Sequence, residues 1–386
     1  MTAPVGVAPL VGLAAATAVV AYIMIGYPLV LALYKGSRKP SVRKDLNFRS
    51  TVTVILAVYN GAAFLRKKLE SILNLNYPMD LVQILVVSDG STDETEAIAL
   101  EYAARGIELI VVPHAGKAAA LNAAFKKATG EILFFTDVRQ ILDREALKHL
   151  AANFADPTVG AVTGEMQLMA GDSGEQEDMG LYWRYEIWAR RKQSDIDSLF
   201  NTTGCVYALR RSFAAPIPPD TLSDDAVLPL RAFFAGYRVI FDPEAIAYDY
   251  PAVSGTEFRR RWRNLAGLWQ VHVRTPDLFF SKNRMRTHFL SHKFGRLVLP
   301  WAILLAIGFT AALPREYGRT FLLLDETALV VLALLDRWIP LKFPLKRLTS
   351  PARTFIVMNA ASLAAAAVFF VPAQKLWKTT RVAPKS

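Results

Sequence analysis

The 386-residue chain has one cysteine, Cys205, and five histidines. A lone thiol excludes an intramolecular disulfide and a cysteine-rich metal centre, and it points to a reducing compartment for the working part of the chain. The histidines show no metal-ligand spacing. His288 and His292 are four apart, but the basic stretch TPDLFFSKNRMRTHFLSHKFGR around them predicts a surface or headgroup position. No G-x-G-x-x-G turn follows a strand, which disfavours NAD chemistry. There is no internal repeat, and no low-complexity tract beyond Ala-rich apolar stretches. With 22 Phe, 7 Trp and 20% charged residues the chain is also not of the disordered class.

Charge is missing altogether from Val5 to Tyr34. That run exceeds the ~20 residues a helix needs to cross a ~30 Å hydrocarbon layer. No basic residue precedes it, as a cleaved leader would require, so a retained anchor is expected. Lys35, Arg38, Lys39, Arg43 and Lys44 follow at once and predict a cytoplasmic exit, with the N-terminus outside. Apolar spans are expected again at about Leu297–Leu313, Thr320–Ile339 and Phe355–Pro372; Asp325 and Glu326 sit awkwardly inside the second of these. The division read from this is an anchor (1–35), a basic linker (36–50), a soluble-textured domain (51–275), a basic interfacial segment (276–296), membrane helices (297–373) and a basic tail (374–386). Three C-terminal spans would put Lys375, Lys378, Arg381 and Lys385 outside, against the charge rule. Net charge +11 and 53% hydrophobic residues agree with a protein working against anionic headgroups, and no nucleic-acid partner is expected.

In the middle region short apolar runs such as TVTVILAVY and VQILVVSD alternate with amphipathic ones such as FLRKKLESILNL, the signature of an α/β domain with a mostly parallel sheet flanked by helices. Ligands bind at the carboxyl ends of such strands. Tyr59-Asn60-Gly61 and Asp89-Gly90-Ser91-Thr92-Asp93 fall there. Read alone, Asp89 serves equally as a nucleoside ligand or a turn residue. Gly116-Lys117 opens a helix, a place that favours an anion such as diphosphate, although an isolated lysine there is more often a solvated surface one. Phe134-Phe135-Thr136-Asp137-Val138-Arg139 ends a strand in an acid close to a base, and Asp137 is the candidate ligand for a hard cation, which takes one or two carboxylates plus phosphate. Trp183 and Trp188 in LYWRYEIWARR read as the packed face of an interfacial helix.

VYN, DGSTD, GKAAALN and the D-x-D-like TDVR, followed by Thr203-Gly204-Cys205, Leu222-Ser223-Asp224-Asp225 and Phe258-Arg259-Arg260-Arg261-Trp262, resemble in order and spacing the inverting glycosyltransferases of family 2 with the GT-A fold. The chain is similar to their membrane-bound, polysaccharide-synthase branch, which includes cellulose, chitin and hyaluronan synthases. That resemblance implies that Tyr59, Asn60 and Asp89 hold the nucleoside of a nucleotide-sugar, UDP-linked by expectation, and that Lys117, Asp137 and Arg139 lie at its diphosphate with Mg²⁺ or Mn²⁺ on Asp137. It further implies that Asp225 is the general base, that Gly204, Asp224, Arg260, Arg261 and Arg263 line the acceptor and diphosphate side, and that Trp262 stacks on the acceptor sugar. The expected partners are the donor, a glycan or lipid-linked acceptor, and the phospholipid of a bacterial-type inner membrane, with the domain cytoplasmic. Arg139 at the second acid of D-x-D, and Phe258 where the synthases carry glutamine, depart from the pattern. Two other readings therefore stand beside it: a glycolipid synthase adding one sugar, and a non-catalytic membrane subunit that binds nucleotide or polymer and regulates partner subunits.

Overall fold

The computed structural model describes residues 7–34, 36, 39–169, 175–250, 257–340 and 343–371, and the side chains of these residues except 175–182 and 257. Lys35, Arg38 and the expected basic tail from 374 lie outside the described residues.

Eight described strands form one sheet, β1 (Val52–Val58), β2 (Val82–Asp89), β3 (Ile107–Val112), β4 (Ile132–Thr136), β5 (Ile141–Leu142), β6 (Val159–Leu168), β7 (Tyr207–Arg210) and β8 (Arg238–Asp249), in the order β3-β2-β1-β4-β7-β6-β8-β5. The half from β3 to β4 is parallel. β7 is antiparallel to both β4 and β6, β8 is parallel to β6, and β5 is antiparallel to β8. The sheet is thus mixed, and β4, β6 and β8 all point their carboxyl ends to one edge. Alternation along each strand sends successive side chains to opposite faces. Ile55, Leu85, Val87, Leu133 and Phe135 join one buried apolar cluster, while Val54, Leu56, Ile84, Val86 and Phe134 join the other.

Helices cover both faces and continue into the apolar end of the chain. They are α1 (Val7–Leu33), α2 (Ala62–Leu73), α3 (Thr95–Glu101), α4 (Lys117–Lys127), α5 (Ala146–Ala152), α6 (Glu175–Ile196), α7 (Asp224–Phe234), α8 (Glu257–Arg274), α9 (Arg286–Ala312), α10 (Arg319–Leu335) and α11 (Lys346–Phe369). Three of them, α1, α9 and α11, are long and apolar enough to cross a membrane. The expected middle C-terminal span is α10, whose 17 residues reach only about 25 Å. Asp325 and Glu326 lie within it, and Glu326 accepts a hydrogen bond from Thr310 of α9. α1 and α9 pack closely: a Cβ at Gly12 would lie 2.5 Å from the Phe309 ring.

The segment read as interfacial is partly a helical start, because α9 begins at Arg286. His288 and His292, expected at a surface or against headgroups, are instead buried against Tyr27. Neither could be reached from the sequence spacing, since their partners come from α1 and α6. Trp188 of α6 packs, half-buried, against the larger core cluster.

Candidate active site

The parallel half of the sheet delivers Asn60, Asp89 and, beyond β3, His114 to one edge, with Asp137 one residue past β4. Because β7 runs antiparallel to β4 with Phe135 opposite Tyr207, the 203–205 turn that precedes β7 arrives beside Asp137. A Cβ built on Gly204 would sit 3.7 Å from Oδ2 of Asp225 and 3.9 Å from Oδ2 of Asp137. Gly204 thus forms an open floor between two carboxylates that a larger residue would cover.

Asp224 and Asp225 occupy the first turn of α7. Thr202 holds the Asp225 carbonyl through both its N–H and its hydroxyl, at 2.8 Å each. Lys117 opens α4 directly after Gly116, whose φ of 96° only glycine adopts freely. Its Nζ lies 3.1 Å from Asp137 and 3.3 Å from Asp224. These carboxylates, chiefly Asp137, hold the ammonium above its ordinary value against the opposing effect of burial. For Asp225 burial dominates, and with Asp224 and Asp137 close by its carboxyl is pushed up to about 7 despite Lys117 and Arg190. Arg263 lies within electrostatic reach of Asp137, Asp225 and Asp224.

Asp89 is 3% exposed and its carboxylate is already engaged. Oδ1 accepts from Ala115 N at 2.8 Å and from Gly116 N at 3.1 Å, and Oδ2 accepts from Gly116 N at 2.9 Å; His114 Nδ1 lies 2.9 Å from Oδ2 and is hydrogen-bonded to the Asp89 main-chain carbonyl at 3.0 Å. Its visible work is to shape the turn that presents Lys117. His114 in turn stacks on Tyr59, centroids 4.1 Å apart, so an imidazole covers one face of the expected base-binding phenol. Asn60 has φ 51° and its side-chain oxygen accepts from Thr92 N, fastening the first strand-end turn to the second.

Arg139 turns away from the cleft acids: its Nη2 pairs with the buried Asp249 at 2.5 Å. Arg260, Arg261 and Trp262 are half-buried on α8, and the Trp262 indole donates to the carbonyl of Ala364 in α11 at 2.8 Å. The structure therefore brings Lys117, Asp137, Gly204, Asp224 and Asp225 together with Arg263 nearby, and directs Arg139 and the Trp262 N–H elsewhere.

Several supporting residues escaped the sequence reading. Lys68, fully buried, donates to Thr136 Oγ1 at 2.5 Å and to the Gln140 carbonyl at 2.8 Å, so a cation pins the turn that carries Asp137. Burial lowers its pKa to about 7. Gln270 of α8 accepts from Leu222 N and donates to the Asp220 carbonyl, both at 2.9 Å, bracing the loop before Asp224. At Gly267 a Cβ would meet Ser223 Oγ at 2.2 Å, so glycine permits that close approach. A lysine inside an amphipathic helix and a glutamine far downstream carry no local signal of such roles.

Asp137 suits a hard cation: with one carboxylate, substrate phosphates and water complete a usual Mg²⁺ shell. A different cluster, His149, Asp242 and Glu244, also has metal-like spacing, but Lys44 Nζ lies 3.1, 2.8 and 2.5 Å from these residues and serves as their cation.

An α/β domain with an acid-rich strand edge is thus defined. Residues 53–215 match the model of Glycosyl transferase family 2. Over those residues the chain resembles the family 2 glycosyltransferases, and its structural neighbours are GT-A-like. It is 26% identical over 267 residues to the probable glycosyltransferase YdaM of Bacillus subtilis (strain 168), covering 65% of this chain and 63% of that one. It is 25% identical over 248 residues to a poly-beta-1,6-N-acetyl-D-glucosamine synthase of Staphylococcus aureus (strain COL), covering 62% and 57%. The chain thus spans about three-fifths of the length of these curated relatives. Among solved structures, a mannosyltransferase of Pyrobaculum calidifontis in complex with GDP-Man and Mn²⁺ superposes with a TM-score of 0.73 at 26% identity, over 92% of this chain and 97% of that one.

Proposed function

We propose that the protein is a membrane-bound inverting glycosyltransferase that moves a sugar from a nucleotide-sugar, by expectation UDP-linked, to a hydroxyl of a glycan or lipid-linked acceptor in cell-surface glycan synthesis. The observation that carries this reading is the half-buried Asp225, its carboxyl pushed up to about 7, across the Gly204 floor from Asp137 and within electrostatic reach of Lys117. A general base works best with a pKa near the working pH. The acceptor oxygen attacks the anomeric carbon as the bond from that carbon to the diphosphate oxygen breaks; the hydroxyl proton passes to Asp225 and the nucleoside diphosphate leaves. Lys117, with Arg263 in reach of the same acids, stabilises the charge that develops on the leaving diphosphate. Asp137 would hold Mg²⁺ or Mn²⁺, which when bound supplies Lewis-acid charge neutralisation to the diphosphate. Tyr59, with His114 against it, and Asn60 border the nucleoside position; Asp89 supports it through the 114–116 turn. α1, α9 and α11 support seating in a bacterial-type inner membrane with the domain on the cytoplasmic side, where nucleotide-sugars are available.

The test is nucleotide release by the purified, detergent-solubilised protein across UDP-, GDP- and TDP-sugars with Mg²⁺, Mn²⁺ or chelator. Release from one donor, dependent on acceptor, is expected; silence across the panel with glycan and lipid acceptors present would overturn the reading. Asp225→Asn is expected to lower kcat by roughly 10³-fold or more, while nucleotide binding by calorimetry stays within a few-fold of native.

A further inference from the structure

Away from the strand edge lies a second charge cluster, buried and centred on Glu186 of α6, which is 5% exposed. Its Oε1 accepts from Lys293 Nζ at 2.6 Å and its Oε2 from Arg296 Nη2 at 2.9 Å. His292 Nε2 lies 3.3 Å from the same carboxylate and Arg190 Nε 3.6 Å. Burial would lift the Glu186 carboxyl, but Lys293, Arg296 and His292 hold it well below the usual carboxylate range. Lys293, Arg296 and His292 all belong to α9. Seven residues along α6, Gln193 donates to Tyr27 OH of α1 at 2.8 Å and lies 3.1 Å from His292 Nδ1. One face of α6 is therefore bonded to two of the three candidate membrane helices.

The same helix reaches the other way. Arg190 Nη1 donates to Thr203 Oγ1 at 2.9 Å. Thr203 N is held by Thr163 Oγ1 of β6 at 2.8 Å, Thr202 grips the Asp225 carbonyl, and Gly204 floors the cleft. Glu186 thus meets Arg190 on one side and α9 on the other. Buried ion clusters bring little net stability over apolar packing, so the consequence to look for is one of geometry.

We propose that Glu186 and Arg190 are positioning residues: they carry the seating of α6 on α1 and α9 to the 202–204 turn and thereby set where Asp225 stands over the cleft. This rests on Asp225 being the base. A turn that is free to shift leaves donor binding intact, because Tyr59 and Asn60 follow β1, Lys117 opens α4 and Asp137 follows β4. The loss falls on kcat.

The experiment uses the full chain in detergent or lipid nanodiscs, with Thr203→Val, Thr203→Ser, Glu186→Gln and the Glu186→Gln/Thr203→Val pair. Thr203→Val is expected to lower kcat about tenfold, the scale of a small misplacement of reacting groups, with donor KM and nucleotide Kd within twofold of native. Thr203→Ser, which keeps the hydroxyl, retains native turnover. Glu186→Gln lowers kcat similarly and the double variant falls no further than the worse single one, as one route demands. Native turnover in Thr203→Val, equal losses in the Val and Ser variants, or losses that multiply in the pair would each overturn the proposal. Amide exchange over residues 201–205 gives a readout independent of activity: faster exchange in Glu186→Gln is expected, and unchanged exchange overturns it. If the native protein transfers no sugar the functional reading fails, and the exchange result still decides this one. Should Glu186→Gln fail to accumulate, the Thr203 pair of variants decides it.

Discussion

Two ionic clusters, one at the open strand edge and one buried, share one molecule and are built with opposite balance. At the strand edge three carboxylates, Asp137, Asp224 and Asp225, surround one close ammonium, that of Lys117. At the junction with α9 one carboxylate, Glu186, faces Lys293, Arg296, Arg190 and His292. Acid surplus leaves a carboxyl with raised proton affinity, free to exchange a proton; base surplus leaves one firmly ionised. The first arrangement suits chemistry and the second suits holding helices in register. The same residue types thus do different work according to which sign is in the minority.

The comparison can be broken first at its strongest point. Lys117→Met removes the only ammonium paired with the described cleft acids; kcat/KM is expected to fall roughly 10²-fold or more, measured with the donor that supports transfer. If turnover survives, the cation that matters at the strand edge is another one. Next, Gly116→Ala forces a side chain to φ 96°, at a cost of about 1–2 kcal/mol, and tilts the residue before Lys117. Donor KM should rise about tenfold with a smaller change in kcat.

The proton affinity of Asp225 sharpens the contrast further. Activity that needs the ionised base should fall as pH drops through about 7, and Asp224→Asn, by deleting a like charge, should move that acid limb to lower pH by about one unit. A limb that stays in place would show that burial and Asp137, not the Asp224 charge, set the value. The linked stability effect has a definite sign. Asp225 holds its proton in the folded state up to about pH 7 and loses it near 4 when unfolded, so its contribution is present below that window and declines as pH rises through it. The thermal midpoint of Asp225→Asn should therefore exceed the native one above pH 7 and converge with it in acid. The smallest effect is expected at the half-exposed Lys44, where Lys44→Met unpairs Asp242 and Glu244 and lowers the midpoint by roughly 2–4 °C, with transfer unchanged.

Much of the site was legible because its signals are local. A strand that ends in a polar turn must present that turn at the sheet edge, so Asn60, Asp89 and Asp137 could be placed from apolar runs and the residues that stop them. The paired acids before AVLPLRAFF marked a helix start, and Asp224 and Asp225 do open α7. What each side chain touches was a different matter. The strand-end position of Asp89 predicts a carboxylate facing a ligand, whereas it is occupied by the backbone of residues 115 and 116. The family resemblance implies a phosphate beside Arg139, whereas it is paired with Asp249, 110 residues away. His288 and His292 looked like headgroup contacts because the residues flanking them are basic, yet their neighbours in space are Tyr27, Gln193 and Glu186.

The sequence by itself determined the apolar lengths that can cross a bilayer, the alternation that builds a two-faced sheet, and the order of turns that carry polar groups, because each depends on neighbours within a few residues along the chain. Only the tertiary structure decided that β7 runs antiparallel beside β4 and so brings Gly204 between Asp137 and Asp225. It alone decided that Lys117 sits among the acids, that Lys68 pins the Asp137 turn from beneath, and that α6 bridges α9 and the Thr203 turn. Burial and Coulomb interaction act through space at a few ångströms, so the charge state and the partner of each of these groups are set by strand pairing and helix packing between segments far apart in sequence.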